Sequence, residues 1–280
     1  MEFYETIGID ISKTTFDVHM HKHNFSAQFD NTEKGFKKFQ QWIEKHNSIS
    51  LDQTLFIFES TGIYSLKINR FLEEKSWHFK IISGLEVKKS LGIVRGKNDK
   101  VDAKRLALYG YRRREEIIPT PPMVSGIEKL SRLVSLRKRL VTQRAGFLAT
   151  YKEYSRILDQ QEHGTVIKSI KQTIDFFNEQ IKVLEKEMDK LIQQDKFLYE
   201  LLILITSIPG VGPEIARQMI VITNAFTKFK TWRQFASYVG IAPFPYQSGS
   251  SIKGKTKVSH YANKKNKNII DIYCIKCHTL

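Results

Sequence analysis

The sequence holds 280 residues with 45 Lys and Arg against 29 Asp and Glu, a formal net charge of +16, which is length enough for two domains with buried cores and favours a polyanionic partner such as nucleic acid over an acidic small molecule. Cys274 and Cys277 are the only cysteines, which excludes a disulfide framework and points to a reducing compartment; their CxxC, followed by His278, has only His260 nearby as a further ligand, too little for a structural zinc site. No basic start leads into an apolar run, and the most apolar stretch, residues 197–208, falls short of the ~20 apolar residues of a membrane span, so a cytoplasmic protein without membrane segments is expected.

The first hundred residues read as alternating strands and helices. "YETIGIDIS", "TFDVHMHK" and "NFSAQFDN" are short and β-rich with polar residues between them, which predicts a three-stranded antiparallel meander. "EKGFKKFQQWIEKH" then spaces Phe36, Phe39, Trp42 and Ile43 as a helix, and "QTLFIFES" is apolar throughout, like a strand buried on both faces. A second helix, "YSLKINRFLEEK", a strand, "HFKIIS", and a helix from about Asn98 follow, giving β-β-β-α-β-α-β-α and a mixed sheet flanked by helices. "PTPP" at 119–122 marks a boundary, since proline ends helices and stiffens linkers.

From about 125 to 195 strand signals vanish. Ile167, Ile170, Ile174, Phe177, Ile181, Leu184, Met188 and Leu191 alternate spacings of three and four, the pattern of a coiled-coil seam. A rougher repeat through Ile127, Leu130, Val134, Val141, Leu148 and Tyr151 precedes it, and His163-Gly164 between the two predicts an antiparallel hairpin turning there, with dimerisation through the same seam as the competing reading. Beyond a boundary near Ser207, "SIPGVGPEIARQM" joins a glycine turn to a helix, and "TWRQFASYVGIAP" forms another helix closed by Gly240. The remainder, "YQSGSSIKGKTKVSHYANKKNKN", reads as a basic, Gly/Ser-rich loop.

Four carboxylates stand out. Asp10 lies within the first strand among apolar neighbours, where its charge needs compensation; Glu59 ends the apolar strand; Asp99 and Asp102 are three apart at a helix start and project from one face. Oxygen ligands of this kind suit hard divalent cations, and two Mg²⁺ ions can stabilise the attacking and leaving oxygens of a phosphodiester displacement. Lys97, Lys100, Lys104 and Arg105 surround the pair in sequence and would neutralise flanking phosphates. The Gly210-Val211-Gly212 turn before a helix exposes N–H groups that can grip a phosphate without reading bases, as in a helix-hairpin-helix motif. A serine in "PYQSGSS", beside Lys253, Lys255 and Lys257, could attack phosphorus, with Tyr246 as a rival.

Taken in order, "GIDISK", "FESTGIY", "KNDKVDAKRLA", "IPGVGPEIARQM", "FASYVGIAPFPYQSGSS" and "KGKTKVSHYANKKNK" resemble the IS110-family (IS110/IS1111) transposases, also called DEDD transposases or bridge-RNA-guided recombinases, over nearly the whole chain. The resemblance implies an α/β RNase H-like (RuvC-like) domain over 1–118 whose DEDD tetrad is Asp10, Glu59, Asp99 and Asp102 with Mg²⁺, a helical coiled-coil hairpin over 125–196, and a mainly α transposase domain over 200–280. It further implies a serine nucleophile at Ser248, or at Ser250 or Ser251 if the alignment slips, that joins DNA covalently. It implies a structured non-coding RNA that chooses target and donor, and a homo-oligomer, dimer or tetramer, whose subunits share the site. Family members continue past the basic segment into apolar helices, so a chain ending at Leu280 is expected to be a truncated copy. The competing expectations are a RuvC-like endonuclease that uses water on branched DNA, and an inactive remnant that only binds nucleic acid.

Overall fold

The computed structural model describes the backbone of residues 2–90, 99–248 and 252–258, and the side chains of 2–87 and 101–243. The chain divides into two compact units, Met1–Pro122 and Met123–Leu280.

The first unit is a five-stranded mixed sheet. β1 (Glu5–Ile11), β2 (Thr15–Met20) and β3 (Ser26–Asp30) form the antiparallel meander, and β4 (Thr54–Glu59) and β5 (Phe79–Ile82) add in parallel, giving the order β3-β2-β1-β4-β5. α1 (Glu33–His46) and α2 (Leu66–Glu74) lie between strands in sequence; α3 (Gly84–Ser90), which the sequence pattern does not announce, and α4 (Asp99–Arg112) follow β5. Alternation along the strands assigns the faces. Ile7, Ile9, Ile11, Phe16, Val18, Met20, Phe56 and Phe58 point into a core closed by Phe36, Phe39 and Ile43 of α1 and by Ile68 and Leu72 of α2. Phe39 and Phe16 are wholly buried and meet edge to face at 5.3 Å, and each such ring contributes about 1.5–3 kcal/mol by leaving water. Thr32 caps α1 by accepting from the Gly35 N–H at 3.2 Å. The opposite face packs Leu55, Ile57 and Ile82 against Leu106 and Tyr109 of α4. Asp10 is the penultimate residue of β1 and half-buried, so it stands at the strand's C-terminal end and not in its middle.

The second unit is mostly helical: α5 (Ile127–Ile157), α6 (Gln160–Gln193), α7 (Lys196–Thr206), α8 (Pro213–Thr223) and α9 (Trp232–Val239). α5 and α6 run antiparallel, as Lys129–Glu187, Arg144–Asn178 and the Phe147–Phe177 ring contact show. The seam positions Ile167, Ile174, Ile181 and Met188 are buried in the hairpin. The turn differs from expectation: it falls at Leu158-Asp159, and His163 and Gly164 lie inside α6. The Asp159 carboxylate ends the ambiguity by accepting from the N–H groups of Gln161 (2.7 Å) and Glu162 (3.3 Å), which outweighs the cost of about 1 kcal/mol for a helical glycine. At the open end of the hairpin, Leu130, Met188, Ile192, Leu198, Ala216 and Ile220 form a core joining α5 to α8. Residues 243–248 and 252–258, most of them expected as a loop, form an antiparallel ribbon of β6 (Pro243–Ser248) and β7 (Ile252–Val258), in keeping with the alternation of lysines in "IKGKTKV". Among the described residues no helix is long and apolar enough to cross a membrane.

Candidate active site

The parallel pairing of β1 with β4 runs Gly8 against Ile57 and Ile9 against Phe58, so the next pair along is Asp10 and Glu59. Thr6, Gly8 and Asp10 share one face of β1, and Ile57 and Glu59 share the same face of β4. Both acids therefore stand side by side at the strands' C-terminal ends, on the face that α4 covers.

Gly8 is what lets α4 approach. A Cβ there would overlap the Ala103 carbonyl oxygen and the Ala107 nitrogen, so only glycine allows helix backbone to lie on strand backbone. One step toward the start of β1, the Thr6 hydroxyl donates to the Ala107 carbonyl at 2.8 Å. Two strand residues span about 6.6 Å and one helical turn about 5.4 Å, so the elements stay nearly in step. Thr6 lies at Ala107, Gly8 at Ala103 and Ala107, and Asp10 falls beside the first turn of α4, which begins Asp99-Lys100-Val101-Asp102. The Asp102 carboxylate accepts from the Arg105 guanidinium at 2.7 Å, with both groups partly exposed. Glu59 lies against Gly84, whose missing side chain leaves room for its carboxylate. α3 is tied to α4 by Tyr109, whose hydroxyl donates to Glu86; burial first, then that bond, push the phenol up to about 12.

The same face holds polar residues that the sequence pattern does not single out. Asp17 pairs directly with Asp10 in the antiparallel register and is buried at 5% exposure, its carboxylate accepting from the Gln28 amide at 2.9 Å. His19 pairs with Gly8 and hydrogen-bonds Ser26 at 2.8 Å. Burial, then Lys104 and His21, hold the His19 imidazole below the usual histidine range against an opposing pull from Glu5. Burial likewise lowers His21, with Glu5 opposing and Arg112, Lys104 and Arg114 adding to it. The hairpin symmetry of "IGIDISKTTFDV" about Lys13-Thr14 was the available signal for Asp17, because residues equidistant from a tight turn face each other.

In the second unit the glycine turn lies between α7 and α8, with Gly210 at φ 80° and Gly212 as the N-cap of α8 without a side-chain cap bond. The helix it opens is held by charge: buried Arg217 donates to Asp189 and Glu214, and Arg137 bridges Glu185 (2.6 Å) and Glu214 (2.6 Å). Burial raises the Glu214 carboxyl against the opposing pull of Arg137 and Arg217. Two residues of "GPEIARQM" thus dock α8 on the α5–α6 hairpin, a role that spacing alone does not reveal. Ser248 ends β6, opposite Ile252, and Lys253, Lys255 and Lys257 take alternate positions on β7.

Lys104 is exposed and Arg105 half-buried on α4, and Lys100 sits in its first turn. Lys97, Ser250, Ser251, His260, Cys274, Cys277 and His278 lie outside the described residues. As to a metal, Asp10, Glu59 and Asp102 are all carboxylates, a donor type that suits a hard divalent cation and not a soft one. Among the described residues no three His, Cys, Asp or Glu side chains are already grouped to hold an ion, and the Asp99 side chain is not among them.

A family model of DEDD-type IS110 transposases matches residues 7–161, and one for transposases of the IS116/IS110/IS902 family matches 203–270. The pilin gene-inverting proteins of Moraxella lacunata and Moraxella bovis are each 29% identical over 265 residues, covering 92% of this chain and 78% of theirs. An uncharacterized 43.6 kDa protein of insertion element IS110 from Streptomyces coelicolor is 33% identical over 90 residues, 32% of this chain and 21% of that protein.

Proposed function

Because the chain belongs to the IS110 family of transposases, and so is a DNA-binding transposase, we propose that it cuts and rejoins DNA strands with a Mg²⁺-binding tetrad of Asp10, Glu59, Asp99 and Asp102 and with Ser248 as nucleophile. The observation that carries this reading is the adjacency of Asp10 and Glu59 on neighbouring parallel strands beneath the acidic first turn of α4. In this reading Met1–Pro122 is RNase H-like and acts in the cytoplasm as part of a homo-oligomer; Phe176 and Val183, exposed on α6, support association through the hairpin.

Mg²⁺ bound there would supply charge to stabilise the phosphorane-like transition state and the departing oxygen. Asp10 and Glu59 hold the reacting phosphate's surroundings negative enough to retain the cation, while Lys100, Lys104 and Arg105 neutralise the flanking phosphates. The Ser248 oxygen forms a bond to phosphorus as one bridging P–O bond breaks, and the serine proton ends on the freed strand hydroxyl. A hydroxyl of a second strand then displaces Ser248, which regains its proton, so phosphodiester bonds are conserved without a nucleotide cofactor. Inversion of a gene, for which the pilin gene-inverting relatives of Moraxella are named, would need the same two steps. A structured non-coding RNA would choose the sites, and Lys97, Lys253, Lys255, Lys257 and the Gly210–Gly212 turn would grip backbone phosphates of either nucleic acid.

The test is a trapped protein–DNA adduct. With Mg²⁺, cognate RNA and labelled DNA, the wild type should give a phosphoserine adduct that Ser248→Ala loses. Undiminished strand cleavage in Ser248→Ala would instead favour a nuclease that uses water. Asp10→Asn should abolish adduct and cleavage while binding, steeply weakened by salt, persists.

A further inference from the structure

α9 carries large aromatic side chains on its outside. Trp232 opens the helix at 73% exposure and Tyr238 stands near its end at 38%, although rings of this size have the most to gain from leaving water. The buried stripe of α9 is Ala236 and Val239, and Trp232 lies one turn before Ala236, so the apolar face of the helix runs on past the core into solvent. Cations accompany the rings. The Lys228 ammonium sits 4.3 Å from the centre of the Tyr238 ring and donates to its hydroxyl at 3.3 Å, and the Arg233 guanidinium lies 5.4 Å from the Trp232 ring. Phe229 packs against Tyr238 and Phe235 with ring centres 5.1 and 5.5 Å apart, which holds the Tyr238 ring in place. Between Glu214 and Asp271 the sequence has no acidic residue, while Lys228, Lys230 and Arg233 precede the lysines of β7. A second copy of this chain docked on the same patch would set these cations against themselves, whereas a polyanion would neutralise them.

We propose that the aromatic face of α9 binds single-stranded DNA, with an unpaired base stacked on Trp232 and the strand's phosphates neutralised by Lys228, Lys230 and Arg233. Aromatic side chains stack on the faces of bases, which a duplex hides between neighbouring pairs, so rings and cations together favour an unpaired strand where cations alone would take either form. A strand freed by cutting is a ligand of that kind. The proposal rests on the chain's binding DNA and needs neither the metal nor the Ser248 chemistry, so it stands or falls apart from them.

The experiment titrates the full-length chain, without metal, with an oligothymidylate of about 16 nucleotides and with a duplex of the same length, followed by fluorescence anisotropy of the labelled DNA. Trp232→Ala should weaken the single strand about tenfold or more and leave the duplex within about twofold, while Trp232→Phe, which keeps a ring, should bind the single strand within a few-fold of wild type. Tryptophan emission gives a second reading that needs no variant: Trp77 is buried and Trp42 half-buried, so stacking on the exposed Trp232 should quench the wild type as the single strand is added. Wild-type affinity for the single strand in Trp232→Ala overturns the proposal, as does an equal loss for single strand and duplex, which would reduce the patch to a contact with backbone alone. Loss confined to an oligouridylate ribonucleotide of the same length would overturn DNA as the ligand in favour of RNA. A changed oligomeric state in Trp232→Ala with single-strand binding intact would make the face an interface between copies and overturn it too.

Discussion

The two units place acidic side chains in different settings. In the helical unit Glu185, Asp189 and Glu214 are each held by a guanidinium, Arg137 or Arg217, and the charges close on one another to fasten α8 to the hairpin. In the sheet unit Glu59, Asp10 and Asp17 stand in a row on adjacent strands, acid next to acid. Pairing of acid with base serves docking, whereas neighbouring acids on adjacent strands cost a sheet stability.

Substitutions can break or sharpen that contrast. The largest effect is expected at Arg217, 5% exposed: Arg217→Ala removes its charge-assisted bonds to the partly exposed Asp189 and to Glu214, which Arg137 still holds, and should destabilise the helical unit by about 1.5–3 kcal/mol in chemical denaturation, with the sheet unit's transition unmoved. Next is Gly8→Ala, whose new methyl must push α4 from β1 and so shift Asp99 and Asp102 relative to Asp10. A displacement near 1 Å should cut strand cleavage about a hundredfold, and full activity would show that the helix position does not matter.

A smaller, pH-dependent effect follows from the titrating groups. His19 is held below its unfolded value, so its neutral form contributes stability above the usual histidine range, lost as pH falls through the depressed folded value. Glu214 is raised, so its contribution is present at low pH and lost as pH rises through the folded value. Melting followed from pH 7 downward should show the sheet unit's decline become shallower in His19→Gln. The smallest effect belongs to the exposed pair Lys129–Glu187, where Lys129→Ala should change stability by no more than about 1 kcal/mol and less in high salt.

Periodicity alone determined a good part of this molecule. Strand alternation gave the two faces of β1 and β2, the helical spacing of Phe36, Phe39 and Ile43 gave α1, and the heptads gave α6, because burying apolar side chains on one face leaves a period in the chain. Glu59 at a strand end and Asp99 and Asp102 in a helix start were legible for the same reason, whereas Asp10, read as lying inside its strand, stands at the strand's end. Tertiary structure alone decided what pairing and close approach control: the turn at Asp159, the β6–β7 ribbon, the seat of α4 on Gly8, the ion pairs of Arg217 and the placing of Asp17 against Asp10. Each depends on residues distant in sequence or on a register that composition does not carry, and a shift of one residue would have turned Asp17 to the other face.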